Sequence, residues 1–173
     1  MLAYKLQPSM LKMKKYVSWI DDKMESFLSG LSGLKTGYLL ALCVSVNVVI
    51  SFIFSVLAQP VYDDPLAGLS LDIRLITVIL FAPIIETILV QKLLIEVSLK
   101  YINGSKLLAI LLSAGIFGIA HHYSIANIFK AFIAGLLYGL LYCAMKYKNK
   151  NPVLFVAVAH AIFNSIGFIV NNF

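Results

Sequence analysis

The feature of this chain that most limits its fold is a series of long apolar stretches. A helix needs about 20 apolar residues to cross the hydrocarbon core of a bilayer. Five stretches are close to this length, at about Tyr38–Ala58, Leu71–Leu99, Leu107–His122, Ile128–Met145 and Val153–Val170. The sequence therefore predicts an all-α fold, a polytopic membrane helical bundle of about five spanning helices.

The composition excludes the other common fold classes. Hydrophobic residues make up 61% of the 173 residues and charged residues only 13%, with a mean hydropathy of +0.92. A soluble domain is about half apolar and about a quarter charged. A chain this short has too little interior to hide so much extra apolar surface from water. An ordinary soluble domain, a disordered chain and a coiled coil are therefore all excluded.

A basic segment of mixed polarity precedes the apolar stretches. Residues 1–37 hold six of the fourteen basic residues, and apolar side chains, Trp19 among them, recur between the lysines at roughly helical spacing. This pattern is typical of an amphipathic helix at the membrane surface, with the tryptophan at headgroup depth. We therefore divide the chain into an interfacial N-terminal segment, 1–37, and a transmembrane bundle, 38–173.

The positions of the lysines predict the orientation of the bundle. Positive charge recurs in alternate loops, and the loops between them carry aspartates or a single lysine, Lys130. Because cytoplasmic loops carry the excess of lysine and arginine, we expect a multi-pass protein of the cell (inner) membrane with a cytoplasmic N-terminus. The lysines are separated by apolar runs and form no basic patch with interleaved aromatics, so the expected partner is the lipid bilayer and not a nucleic acid. Turns are predicted at Pro60, Pro65, Asn103 and Gly104.

Several polar side chains interrupt the apolar stretches. An ionisable residue inside a spanning helix costs about 2.5–3.5 kcal/mol on insertion scales, so each needs a partner or a function. Glu86, His121 and His160 lie in three different predicted helices. Asn164 follows His160 by four residues and shares its helix face, and Phe117 precedes His121 by four and should pack under it. The pattern predicts a polar pocket between helices.

The residue types alone leave three interpretations of this pocket open. A carboxylate with a histidine can deprotonate a water, while a histidine with an asparagine can stabilise an oxyanion. Glu86, His121 and His160 are also a suitable ligand set for zinc. In the third interpretation each group only forms hydrogen bonds between helices.

These residues also resemble the motifs of a known family. The chain reads Ala82-Pro83-Ile84-Ile85-Glu86-Thr87-Ile88-Leu89-Val90-Gln91, then Phe117-Gly118-Ile119-Ala120-His121, and finally His160-Ala161-Ile162-Phe163-Asn164. This order resembles the CPBP family of CAAX proteases and bacteriocin-processing enzymes, also called Abi proteins. The resemblance covers about residues 75–168.

The resemblance implies an intramembrane endopeptidase that cuts a membrane-bound protein or peptide. Carried over by motif position, Glu86 is the general base, His121 helps to activate the water, and His160 with Asn164 holds the oxyanion. This mechanism requires no cofactor. Because family members have also been described as metalloproteases, zinc held by Glu86, His121 and His160 remains an alternative.

Two positions depart from the family pattern of Glu-Glu-x-x-x-Arg. The second glutamate is Thr87 and the arginine is Gln91. Replacing both together removes an ion pair without leaving a single buried charge, and the two new side chains are still able to hydrogen-bond. The departure leaves a second interpretation open, a catalytically inactive member that acts in bacteriocin self-immunity or in partner binding.

Overall fold

The computed structural model describes residues 8–58, 66, 68–101 and 105–172, with side chains from residue 15 onward. Its helices are α1 Pro8–Gly33, α2 Thr36–Ala58, α3 Leu71–Tyr101, α4 Lys106–Ala120, α5 Ile125–Tyr147 and α6 Pro152–Asn172. The part of the chain so described contains no strand. The predicted turn residues Pro60, Pro65, Asn103 and Gly104 lie outside it.

The predicted all-α polytopic bundle is confirmed. Helices α2, α3, α5 and α6 are each long and apolar enough to cross a membrane. The remaining predicted span, 107–122, corresponds to α4, which has 15 residues and is therefore only about 22 Å long. It ends early because His121 leaves the helical conformation, with φ −100° and ψ 42°, while its N–H still donates to the carbonyl of Gly118.

Helix α5 lies at the centre of the bundle and contacts α1, α2, α4 and α6. Its closest neighbour is α4, because glycines on both helices remove the side chains that would hold the backbones apart. A Cβ atom on Gly135 would lie 2.9 Å from the Cα of Ala114, and one on Gly118 would lie 2.9 Å from the carbonyl oxygen of Ile128. The α4–α5 contact therefore has no room for larger side chains at these positions.

Hydrogen bonds and an ion pair hold the amphipathic helix α1 against the bundle. Asp21 accepts a hydrogen bond of 2.8 Å from the hydroxyl of Ser105, and Glu25 forms an ion pair with Lys106. At the other end of α1, Lys148 Nζ donates to the carbonyl of Ser32 at 2.7 Å. The aromatic side chains Tyr16, Trp19 and Phe27 of this helix are exposed, as an interfacial helix requires.

Helix α3 is continuous, but its turns are not uniform. Two π-helical segments, Thr77–Phe81 and Thr87–Leu93, flank a short α-helical segment, Ala82–Glu86. Pro83 has no N–H, and its ring would clash with the carbonyl four residues earlier in a regular helix. The wider turn before Pro83 accommodates the proline. It also leaves Glu86 at the junction between the α-helical segment and the second π turn.

Candidate functional site

The structure brings the polar residues of the apolar helices to one cavity. Glu86 of α3, His121 at the end of α4, and His160 and Asn164 of α6 all line a cavity of about 400 Å³. A narrower cavity of about 170 Å³ is lined by the same two histidines and Asn164, together with Phe117 and Tyr138. Side chains that are distant in the sequence therefore share one polar space inside an apolar bundle.

The carboxylate and the imidazole of α6 face each other across this space. Glu86 Oε2 lies 3.8 Å from His160 Nε2, which is too long for a direct hydrogen bond. The His160 side chain is almost fully buried, at 5% exposure, whereas 30% of the Glu86 side chain is exposed. Within the described residues, Glu86 Oε2 has no hydrogen-bond partner. Catalytic hydrogen bonds are often this long before substrate binds.

The ring of Phe117 contacts both histidines of the site. Its ring centroid lies 4.6 Å from that of His121 and 5.8 Å from that of His160. It also meets the ring of Tyr138 edge-on at 6.0 Å. Phe117 packs against His121, as the four-residue spacing predicts, and through the second ring contact it sets the separation between the histidines.

A backbone contact determines which nitrogen of His121 carries its proton. Nδ1 lies 2.8 Å from the carbonyl oxygen of Phe117. Because a carbonyl only accepts hydrogen bonds, Nδ1 is the protonated donor, and Nε2 of the neutral ring keeps a free lone pair. His121 is therefore arranged to accept a hydrogen bond at Nε2, for example from a water molecule.

Asn164 connects α6 to the first π turn of α3. Its amide nitrogen donates to the carbonyl of Val78 at 2.9 Å, and Val78 lies within the segment Thr77–Phe81. An asparagine amide has two N–H donors and an acceptor oxygen, so one donor is left after this bond. The contact fixes the position of Asn164 beside the cavity.

The two positions that depart from the family motif lie in the helix segment that directly follows Glu86. Thr87 and Gln91 are fully buried in the second π turn of α3. Within the described residues, the Thr87 hydroxyl and both polar atoms of the Gln91 amide have no hydrogen-bond partner. That these side chains form hydrogen bonds stays a prediction. They lie in a π turn, which differs from the regular helix on which their four-residue spacing was interpreted.

Sequence reasoning missed two residues of the site. Tyr138 is 1% exposed and stacks on His160, with 4.7 Å between the ring centroids and 30° between the planes. Lys130 lines both cavities but was interpreted only as a loop charge. A tyrosine hydroxyl and a lysine inside a predicted spanning helix are the signals that would have identified them.

The described residues contain no group of three His, Cys, Asp or Glu side chains arranged to hold a metal ion. Glu86 and His160 approach each other, but His121 does not complete a ligand set with them. Zinc binding at these residues stays a prediction.

The chain is similar to a known family of endopeptidases. A family model described as type II CAAX prenyl endopeptidase Rce1-like matches residues 69–166. The match covers more than half of the chain and includes Glu86, His121, His160 and Asn164. No curated protein and no solved structure matches the chain.

Proposed function

Because the chain belongs to the Rce1-like family of type II CAAX prenyl endopeptidases, we propose that it is an intramembrane endopeptidase that cuts a membrane-associated protein or peptide. The observation that carries this proposal is the shared cavity of Glu86, His121, His160 and Asn164. The distribution of lysines supports its placement in the inner membrane with a cytoplasmic N-terminus.

We assign Glu86 as the general base. In the proposed reaction a water held between Glu86 and His121 Nε2 gives its proton to the carboxylate as its oxygen attacks the scissile carbonyl carbon. The resulting oxyanion accepts hydrogen bonds from His160 Nε2–H and from the remaining N–H of Asn164. Glu86 then passes the proton to the leaving amine nitrogen as the C–N bond breaks. With 3.8 Å between Glu86 Oε2 and His160 Nε2, one oxygen atom to the side of the pair can lie within hydrogen-bond distance of both, which supports a shared role at the reacting centre.

This mechanism requires no metal ion. We expect dialysis against a strong chelator to leave the rate of substrate cleavage unchanged, because the proton transfers use side chains alone. The measurement is the cleavage rate before and after dialysis, with zinc added back to one sample. Loss of activity on dialysis and its recovery with zinc would instead assign Glu86, His121 and His160 as zinc ligands.

A second candidate function follows from Thr87 and Gln91. These buried side chains replace an acid and a guanidinium of the family motif and have no hydrogen-bond partner within the described residues. This departure favours an inactive member that acts by contact, in bacteriocin self-immunity or partner binding. The retention of Glu86, His121, His160 and Asn164 favours the protease.

The test is a peptide inventory of membranes from cells that express the chain or its Glu86→Gln variant at equal levels. Glutamine keeps the size and polarity of the side chain but removes the base. We expect peptides with new termini only in cells with the unaltered chain, and their sequences identify the substrate. Identical inventories from both strains, with any immunity phenotype intact in both, would contradict the protease and support the second candidate.

A further inference from the structure

The narrower cavity of the candidate site has a deeper part that the proposed reaction does not use. Among the described residues, those that line both cavities are His121, Lys130, His160, Phe163 and Asn164. Those that line the narrower cavity but not the larger one are Asn47, Ile50, Phe117, Ala131, Ala134 and Tyr138. The deeper part is therefore apolar except at Asn47 and Tyr138.

These two polar side chains are almost completely buried. Tyr138 is 1% exposed, and within the described residues its hydroxyl has no hydrogen-bond partner. Asn47 is 2% exposed, and its amide nitrogen donates to the carbonyl oxygen of Cys43 at 3.0 Å and contacts the sulfur of Cys43 at 3.7 Å. Because a carbonyl only accepts, this bond fixes the orientation of the amide and leaves Asn47 Oδ1 as an acceptor. The deeper part of the cavity therefore offers a hydroxyl donor and an amide acceptor to a ligand.

We propose that the deeper part of the narrower cavity binds a glutamine side chain of the substrate, at a residue that flanks the scissile bond. The peptide substrate and its scissile bond are taken from the proposed function. The amide oxygen of the glutamine accepts a hydrogen bond from the Tyr138 hydroxyl, and its N–H donates to Asn47 Oδ1. The methylene groups of the glutamine pack against Ile50 and Phe117, which line the same space.

The entrance to this space lies beside the reacting groups. His121, His160 and Asn164 line both cavities, so a side chain that enters from the larger cavity passes next to them. The narrower cavity has a volume of about 170 Å³, which is enough for one side chain and too small for a folded segment. The residue that supplies the side chain is therefore adjacent to the bond that is cut.

Hydrogen-bonding capacity distinguishes glutamine from side chains of similar length. Both oxygens of a glutamate carboxylate only accept, so one of them would face the acceptor Asn47 Oδ1. Lys130 does not compensate at this depth, because it is half-buried and also lines the larger cavity. Methionine fills the same length, but its sulfur is only a weak acceptor and leaves Asn47 Oδ1 without a donor.

The expected effect is set by the cost of leaving buried polar groups unpaired. This cost corresponds to a change in affinity of about tenfold to a hundredfold, and sites built to hydrogen-bond a substrate reject analogues that lack the bonding group. A peptide with glutamine at the correct position is therefore expected to bind about ten to a hundred times more tightly than the same peptide with methionine. Glutamate should bind no better than methionine.

The probes are farnesylated alanine peptides in which a single glutamine is moved one position at a time, with matching methionine and glutamate series. Their dissociation constants are measured by surface plasmon resonance on the immobilised full-length Glu86→Gln variant in neutral detergent, so that binding is recorded without cutting. At one position glutamine should bind most tightly. In this background Tyr138→Phe should remove most of the preference for glutamine over methionine, because it deletes the hydroxyl and keeps the ring that stacks on His160.

Tyr142→Phe is the matched control. Tyr142 lies one turn further along α5 and is as buried as Tyr138, but its hydroxyl donates to Glu96 at 2.7 Å and it lines neither cavity. The same chemical change at this position should leave the preference for glutamine unchanged. Thermal unfolding of both variants in detergent shows that each is folded during the binding measurement.

Equal affinities for glutamine and methionine at every position, including no binding of either, would overturn the proposal. So would a preference for glutamine that Tyr138→Phe leaves undiminished, or tighter binding of glutamate than of glutamine. Cleavage by the unaltered chain is measured separately with the same peptides. A glutamine preference that depends on Tyr138, without cleavage of any peptide, would uphold the side-chain site and contradict the endopeptidase function. Cleavage without a glutamine preference would do the reverse.

Discussion

Replacing Glu86 with glutamine is expected to lower kcat for peptide cleavage by about 10²–10⁴-fold, the contribution of a positioned general base. Glutamine fills the same space but cannot accept the proton of the attacking water. Because substrate binding does not require the base, KM should change by only a few-fold. The measurement is the cleavage rate of a purified peptide by the protein in liposomes, with substrate concentration varied to separate kcat from KM.

Glu96 provides the matched control for this substitution. It lies on the same helix as Glu86, its side chain is 43% exposed, and it accepts hydrogen bonds from Tyr142 and Lys146 away from the cavity. Glu96→Gln makes the same chemical change outside the site and should leave kcat within about twofold of the unaltered value, since exposed ion pairs contribute little. Equal losses from both substitutions would show that the effect reflects charge or folding and would remove Glu86 from the role of base.

Replacing Gly135 with valine is expected to separate α4 from α5 and to destabilise the bundle strongly. Even a Cβ at this position meets the backbone Cα of Ala114 at 2.9 Å and the Cβ of Phe117 at 3.1 Å. Neither atom is the end of a flexible side chain, so the helices themselves must move. Overpacking typically costs about 1–3 kcal/mol, and the two branches of valine place this substitution at the upper end. Thermal unfolding in detergent measures the loss, and alanine at the same position should give a smaller one.

The activity of these variants tests the connection between packing and the site. Gly135 contacts Phe117, and Phe117 positions both histidines. A displaced Phe117 should therefore lower the cleavage rate of the folded fraction as well as its stability. Gly115→Ala is the control on α4, because no atom lies within 4 Å of its added Cβ; it should leave stability unchanged or raise it slightly. Equal unfolding temperatures for Gly135→Val and Gly115→Ala would show that the helix contact tolerates side chains.

Much of the fold could be predicted from the sequence, because hydrophobicity over about 20 residues is a long-range signal that a single side chain barely changes. The shorter α4 was harder to predict. Its apolar stretch continues to Ala120 and the helix ends where His121 changes its backbone angles, which is a local event with no hydropathy signature. The grouping of Glu86, His121, His160 and Asn164 was predicted on the principle that polar residues in apolar helices need partners.

The details of the site depended on features that spacing does not encode. Thr87 and Gln91 were interpreted on an α-helical spacing, whereas both lie in a π-helical segment. Lys130 was counted among the loop charges although it falls within the predicted span 128–145, and α5, which begins at Ile125, places it inside the helix. The side chain of Asn164 was predicted to face the reacting atoms, and its bond to Val78 became visible only with the backbone of α3 in place.

The irregular turns of α3 have a consequence for comparing this chain with its relatives. A π turn contains an extra residue relative to an α turn, so each one advances the phase of the helix by about 100°, the rotation of one residue. A helical wheel drawn with a single period over Leu71–Tyr101 therefore misplaces the residues after Thr77–Phe81 by about 100° around the helix axis. For the residues after Thr87–Leu93 the angular error of the second π turn is added to that of the first. Faces of this helix should be assigned separately for 71–76, 82–86 and 94–101. In a relative that lacks either π turn, a residue aligned in sequence with one of this chain can therefore face a different side of the helix.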